Sequence, residues 1–76
     1  MITNKIKSLL ALHGLSFAKY ANELGITRQS LNNKSNANAY KIVDLIILGK
    51  LTNTKLAFID QDNKPIIIFD NEDIKD

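Results

Sequence analysis

The stretch FAKYANELGITRQSLNNK, Phe17 to Lys34, carries two short helical patterns on either side of one glycine. Ala21 stands where two helices must approach closely, Gly25 where the chain must reverse with positive φ, and Leu31 where the second helix needs an apolar anchor. That trio, spaced four and six residues apart, has the form of a helix-turn-helix. From Arg28 onward, at about 100° per residue, Arg28, Gln29, Asn32, Asn33 and Asn36 fall in one arc while Leu31 lies opposite. This helix turns a wholly polar face outward, and guanidinium and carboxamide groups are the side chains that match the edges of base pairs.

The flanks carry consistent punctuation. Ser16 starts a helix predicted over Phe17 to Leu24, with Phe17, Ala21 and Leu24 on its inner face and Lys19, Asn22 and Glu23 outside. Ile26 plugs the turn, and Thr27 is a good N-cap whose hydroxyl can satisfy a free amide while Arg28 and Gln29 project from the first turn. Upstream, Thr3 or Asn4 is expected to cap a helix whose Ile2, Ile6, Leu9, Leu10 and His13 form a stripe. Gly14 ends it as a left-handed cap, with Leu15 folding back on the last turn. His13 is the only histidine and has no Cys, Asp or Glu nearby in the chain, so it is assigned no chemistry.

Downstream, a fourth helix is expected to begin after Asn38 and run through AYKIVDLIILGKLT to Asn53. Ile42, Leu45, Ile46 and Gly49 form one stripe, which Val43, Ile47 and Leu51 widen beyond the usual ~100° apolar sector. Gly49 in mid-helix costs about 1 kcal/mol relative to Ala, which suggests that another backbone or ring comes close there. The period then changes. Lys55 to Asp60 and Pro65 to Asp70 are short, β-branched and aromatic runs around the turn-rich Gln61 to Lys64, and they read as a β-hairpin. Both of its faces are apolar, and Pro65, which lacks an N–H, is expected either to begin its strand or to lie on an edge strand. The fold expected is mainly α, a four-to-five-helix bundle over residues 1–54 with the hairpin over 55–70 and an acidic, frayed tail over 71–76.

Composition narrows the possible functions. A chain of 76 residues makes one domain and buries only roughly 60% of its unfolded surface, so stability calls for a partner. There is no cysteine, hence no disulfide framework and no thiolate metal site. No apolar run, Leu45 to Leu48 included, is long enough to span a bilayer, and the N-terminus lacks a signal-peptide pattern, so a soluble cytoplasmic protein is expected. Charge is divided: residues 1–50 carry six Lys and one Arg against two acids, net +5, whereas residues 51–76 carry three Lys against six acids, net −3. A polyanion is attracted to the first part and repelled by the second. An enzyme is not expected, because no nucleophile, paired acid or phosphate loop converges, and neither a metal, a cofactor nor a small-molecule ligand is implied. The acidic end lacks the spacing of a calcium loop.

From about Lys5 to Asp60 the chain resembles the phage repressor and Cro-like (XRE-type) family of helix-turn-helix regulators, in particular its small prophage-type members. GITRQSLNNK is similar to that family's GISRQTLSNK type of recognition segment, and Ala21, Gly25 and Leu31 match its structural positions. Two departures stand out: Lys34 occupies a usually apolar place, its stem packing while the ammonium reaches outward, and Ile47 a usually polar one. The resemblance implies a transcriptional regulator, such as a repressor, that reads double-stranded DNA with its third helix in the major groove as a homodimer. Arg28, Gln29, Asn33 and, second in rank, Asn32 are then the base-reading candidates. Ser16, the amide of Phe17, Thr27, Lys34 and Asn36 are candidates for the phosphates, with Lys19 and Lys41 adding long-range attraction. The two-faced hairpin supplies the dimer candidates Phe58, Ile66, Ile67, Ile68 and Phe69, together with Ile47. The alternative is a protein-interaction module of the same fold, an antirepressor or antitoxin-like partner, which the apolar fourth helix and Lys34 would favour.

Overall fold

The computed structural model describes residues 2–74. Four α-helices, α1 (Ile2–Leu12), α2 (Phe17–Leu24), α3 (Arg28–Ala37) and α4 (Ile42–Leu51), precede an antiparallel hairpin of β1 (Leu56–Ile59) and β2 (Pro65–Phe69). A single 3₁₀ turn, Asn71–Ile74, follows and packs against α4.

Each helix end has an identifiable stop. Gly14 (φ 67°) and Gly25 (φ 73°) adopt the left-handed conformation that closes α1 and α2. The Leu15 amide reaches back to Leu10 O (2.9 Å) and that of Ile26 to Ala21 O (3.1 Å), so both ends are six-residue C-terminal loops that satisfy carbonyls otherwise orphaned. Asn38 (φ 53°) closes α3 in the same way, with the Ala39 amide on Lys34 O at 2.9 Å. This is why α4 starts at Ile42 and not directly after Asn38 as the sequence suggested: residues 39–41 are spent leaving α3. Thr3 and Asn4 are not caps either, since α1 already includes Ile2; the Thr3 hydroxyl instead meets the Tyr40 hydroxyl at 2.8 Å.

The core is formed by Ile6 and Leu10 of α1, Tyr20 and Ala21 of α2, Leu31 of α3 and Leu48 of α4. Tyr20, unassigned from the periodicity, is fully buried, whereas Phe17 and Leu24 only line the edge of the core. Its hydroxyl donates to the Asp44 carbonyl at 2.7 Å, linking α2 to α4. The inner face of α4 also differs from the expected stripe, because Ile42 is exposed while Asp44, Ile46, Leu48 and Gly49 are buried. A β-carbon on Gly49 would lie 2.9 Å from the Thr54 carbonyl oxygen, and the Thr54 amide donates to Gly49 O at 2.8 Å, so the close backbone approach suggested by the mid-helix glycine is there.

The hairpin pairs Leu56 with Phe69, Ala57 with Ile68 and Phe58 with Ile67, and a bulge before Ile59↔Pro65 leaves Ile66 as the extra residue. Its loop is a tight turn with Asn63 left-handed (φ 65°). The Asp60 carboxylate accepts from the Asp62 (2.8 Å) and Lys64 (3.0 Å) amides, which explains the polar tetrapeptide. The tail corrects the expectation of fraying over residues 71–74: Asp73 accepts from the Asp70 amide (2.8 Å) and Asp70 from the Glu72 amide (3.0 Å), closing the 3₁₀ turn. Residues 75 and 76, the rest of the expected tail, lie outside the described residues.

Burial pushes the Tyr20 phenol well above its ordinary pKa, with the nearby Asp44 charge and Tyr40 adding to the shift. Above about pH 10 the unfolded chain releases this proton while the folded one keeps it, so stability is fully present below that pH and falls above it, by up to about 1.4 kcal/mol per pH unit. Tyr20→Phe should lose about 1 kcal/mol at neutral pH with the hydrogen bond, yet show a shallower decline. Urea unfolding of both proteins between about pH 8 and 11 checks this, because titrating lysines are common to the pair.

Candidate nucleic-acid interface

The turn between α2 and α3 sets the geometry of the polar face. Ser16 Oγ accepts from the Lys19 amide (3.0 Å) and Thr27 Oγ1 from the Ser30 amide (3.0 Å), so both helices begin with one of their free first-turn donors satisfied. Leu31, with no exposed surface, fixes α3 about its axis. Arg28, Gln29, Asn33 and Asn36 are consequently exposed, and Asn32 is half-buried on the flank of the same face. Gln29 Nε2 donates to Asn33 Oδ1 at 3.1 Å, one helical turn apart. This pairing holds the two carboxamides in register and leaves Gln29 Oε1 and the Asn33 amide group to meet a partner.

The candidate phosphate ligands separate into two sets. Ser16, Thr27 and Asn36 are exposed around α3, and Phe17 opens α2. Lys19 is exposed but engages Glu23 at 3.4 Å, one turn along α2, and Lys41 is exposed at the start of α4. Lys34 does not belong with them. Its ammonium is turned inward to Asp44 Oδ2 at 2.9 Å, with only about a quarter of the side chain accessible, so the expectation that it reaches outward to phosphate is corrected. The cause is Asp44, a buried acid in an otherwise apolar helix, whose carboxylate also accepts from the Lys41 amide at 2.9 Å and caps α4.

Asp44 and Tyr40 are the residues supporting the candidate face that the sequence reading missed. An acid three residues after Lys41, at the N-terminal turn of a greasy helix, is the capping signal that could have revealed the first. Tyr40 carried no such signal. Its hydroxyl bridges Thr3 Oγ1 (2.8 Å) and Ser35 Oγ (2.6 Å), tying α1 to α3 behind the polar face.

The candidate dimer residues lie in the hairpin, apart from Ile47 in α4. Phe58 is 67% exposed and Ile66 65%, Ile67 and Ile68 remain about half exposed, and Phe69 and Ile47 are half-buried. Phe58 and Phe69 stack edge to face with centroids 6.0 Å apart, beside an apolar hollow of about 330 Å³ lined by Ile42, Leu45 and Leu56. Among the described residues no helix is long and apolar enough to cross a membrane, and no three His, Cys, Asp or Glu side chains cluster as metal ligands would. No family model, curated protein or solved structure matches this chain.

The Lys34 to Asp44 pair makes an asymmetric prediction. Asp44→Ala removes both the partner of Lys34 and the cap of α4, and should cost about 2 to 4 kcal/mol. Lys34→Met keeps the cap and fills the same space but leaves the nearly buried Asp44 carboxylate without a counter-charge, and should cost more, about 3 to 5 kcal/mol. Chemical unfolding of the two variants measures the ordering directly.

Proposed function

We propose that this chain is a cytoplasmic, sequence-specific regulator of transcription that binds double-stranded DNA as a homodimer. The observation that carries the reading is the exposed amide and guanidinium face of α3, held in place by fully buried Leu31 on its opposite side. An α-helix with such a face fits the major groove, where Arg28 matches guanine O6 and N7 and the coupled Gln29 and Asn33 match adenine N6 and N7. Asn32 serves the flank. Ser16, the amide of Phe17, Thr27 and Asn36 bind the phosphates, and the net +5 of residues 1–50 against the net −3 of the remainder orients the approach, with Lys19 and Lys41 contributing at long range. Dimerisation through the hairpin presents two α3 helices to half-sites about 34 to 36 Å apart and occludes the DNA between them, the action of a repressor.

Protein interaction through the same surfaces is the weaker reading. Lys34, one of the two features in its favour, has its partner within the chain in Asp44. A mobility-shift assay in excess nonspecific DNA distinguishes the two, since a regulator retains a preferred duplex and an interaction module retains none. On that duplex Arg28→Ala should cost about 1 to 3 kcal/mol and relax preference at one base pair. Equal losses on preferred and random DNA would take Arg28 out of the base-reading set.

The dimer can be tested separately. Ile66 is the cleanest position for a charge, because most of its side chain is exposed in the single chain. Ile66→Asp should give a monomer by sedimentation equilibrium, with a lowered and no longer concentration-dependent unfolding midpoint. A wild-type protein that stays monomeric at high micromolar concentration would refute hairpin pairing.

A further inference from the structure

A polar groove of about 440 Å³ runs between α1 and α3, and three of its eight lining residues belong to α1, an element with no role in the reading above. Asn4 and Lys7 of α1 line one side, Gln29, Asn32 and Asn36 of α3 the other, and Phe17 also borders it. None of its lining side chains is acidic. Its width is fixed by the Tyr40 hydroxyl, which joins Thr3 on α1 to Ser35 on α3. Lys7 is positioned as well: its ammonium sits over the Phe17 ring, 5.0 Å from the centroid, a cation–π contact that restrains a long side chain before any ligand arrives. Phe17 is itself held edge to face against buried Tyr20, with centroids 6.4 Å apart, so the cation rests on a platform anchored in the core.

Three of the groove's residues, Gln29, Asn32 and Asn36, also lie on the base-reading face of α3. A duplex that receives that face in its major groove must therefore carry one sugar–phosphate strand past the groove mouth. A preorganised cation, carboxamide donors and the absence of carboxylates suit a phosphodiester. We propose that α1 is a DNA-contacting element, with Lys7, held over Phe17, and Asn4 binding a backbone phosphate of the strand that passes between α1 and α3. This rests on the DNA-binding reading and adds to it a phosphate contact outside the helix-turn-helix.

The test is the salt dependence of binding to two probes, a duplex that the wild-type protein enriches from random-sequence DNA and an unselected duplex of equal length. Lys7→Gln should weaken both by the same factor, about fivefold near 0.15 M salt, and make the slope of log K against log salt shallower by about 0.9. Lys7→Arg, which keeps the charge and the ring contact, should restore the wild-type slope, and Lys64→Gln in the hairpin loop should leave it unchanged. Lys7 is exposed, so an unaltered unfolding midpoint verifies that the fold is intact. An unchanged slope for Lys7→Gln, with wild-type binding present, overturns the role of α1 and leaves the α3 reading standing. Wild-type protein that binds neither probe overturns both.

Discussion

The Asp44 carboxylate is the constraint on which the arrangement of α2, α3 and α4 depends. One oxygen accepts from the Lys34 ammonium and the Lys41 amide, each at 2.9 Å, while the carbonyl of the same residue accepts from the Tyr20 hydroxyl at 2.7 Å. A carboxylate with so little exposed surface is costly to desolvate, and it persists because every acceptor it presents to the interior is engaged. Such a pair adds little net stability, but it is directional in a way that an apolar contact is not. The N-terminal half of α3 is located by Leu31 in the core and its C-terminal half by a charge-assisted hydrogen bond to the first turn of α4. The angle at which α3 presents its polar face is thus fixed at two points by different physics. Among the described residues no buried side-chain nitrogen or oxygen lacks a partner, so this polar node is complete.

Much of this was legible from local chemistry. Ser16, Gly25 and Thr27 act within one helical turn of themselves, and their caps and the left-handed turn are where the residue types required them. The polar arc from Arg28 to Asn36 followed from period alone, as did the hairpin from a change of period. Contacts across elements were not legible. Lys34 and Asp44 are ten residues apart on different helices, and nothing local distinguishes an inward lysine from an outward one. Tyr20 has a polar tip and falls between the two faces of α2, so its complete burial depended on an acceptor that only α4 supplies. The tail looked disordered because its residues are acidic, yet side chains of Asp70 and Asp73 turn that chemistry into a closed 3₁₀ turn against α4.

The hairpin and the bundle divide the work of so small a chain. The bundle closes its own core around Leu10, Tyr20 and Leu31, while the strands leave Phe58 and Ile66 to Ile68 about half exposed or more, and the acidic excess falls in the chain after α4. In the proposed regulator this separation has a use: the cationic half meets the polyanion, and the apolar half meets a second copy, so that protein symmetry is transferred to the spacing of the DNA sites.

Selection of bound duplexes from a random-sequence pool, followed by sequencing, tests the central claim most directly. A reader built as described enriches a two-fold symmetric motif whose half-sites are centred about one helical turn apart, with purine positions that Arg28 and the Gln29 and Asn33 pair can contact. Recovery of sequences with no shared motif, by protein that is folded and dimeric, would contradict it.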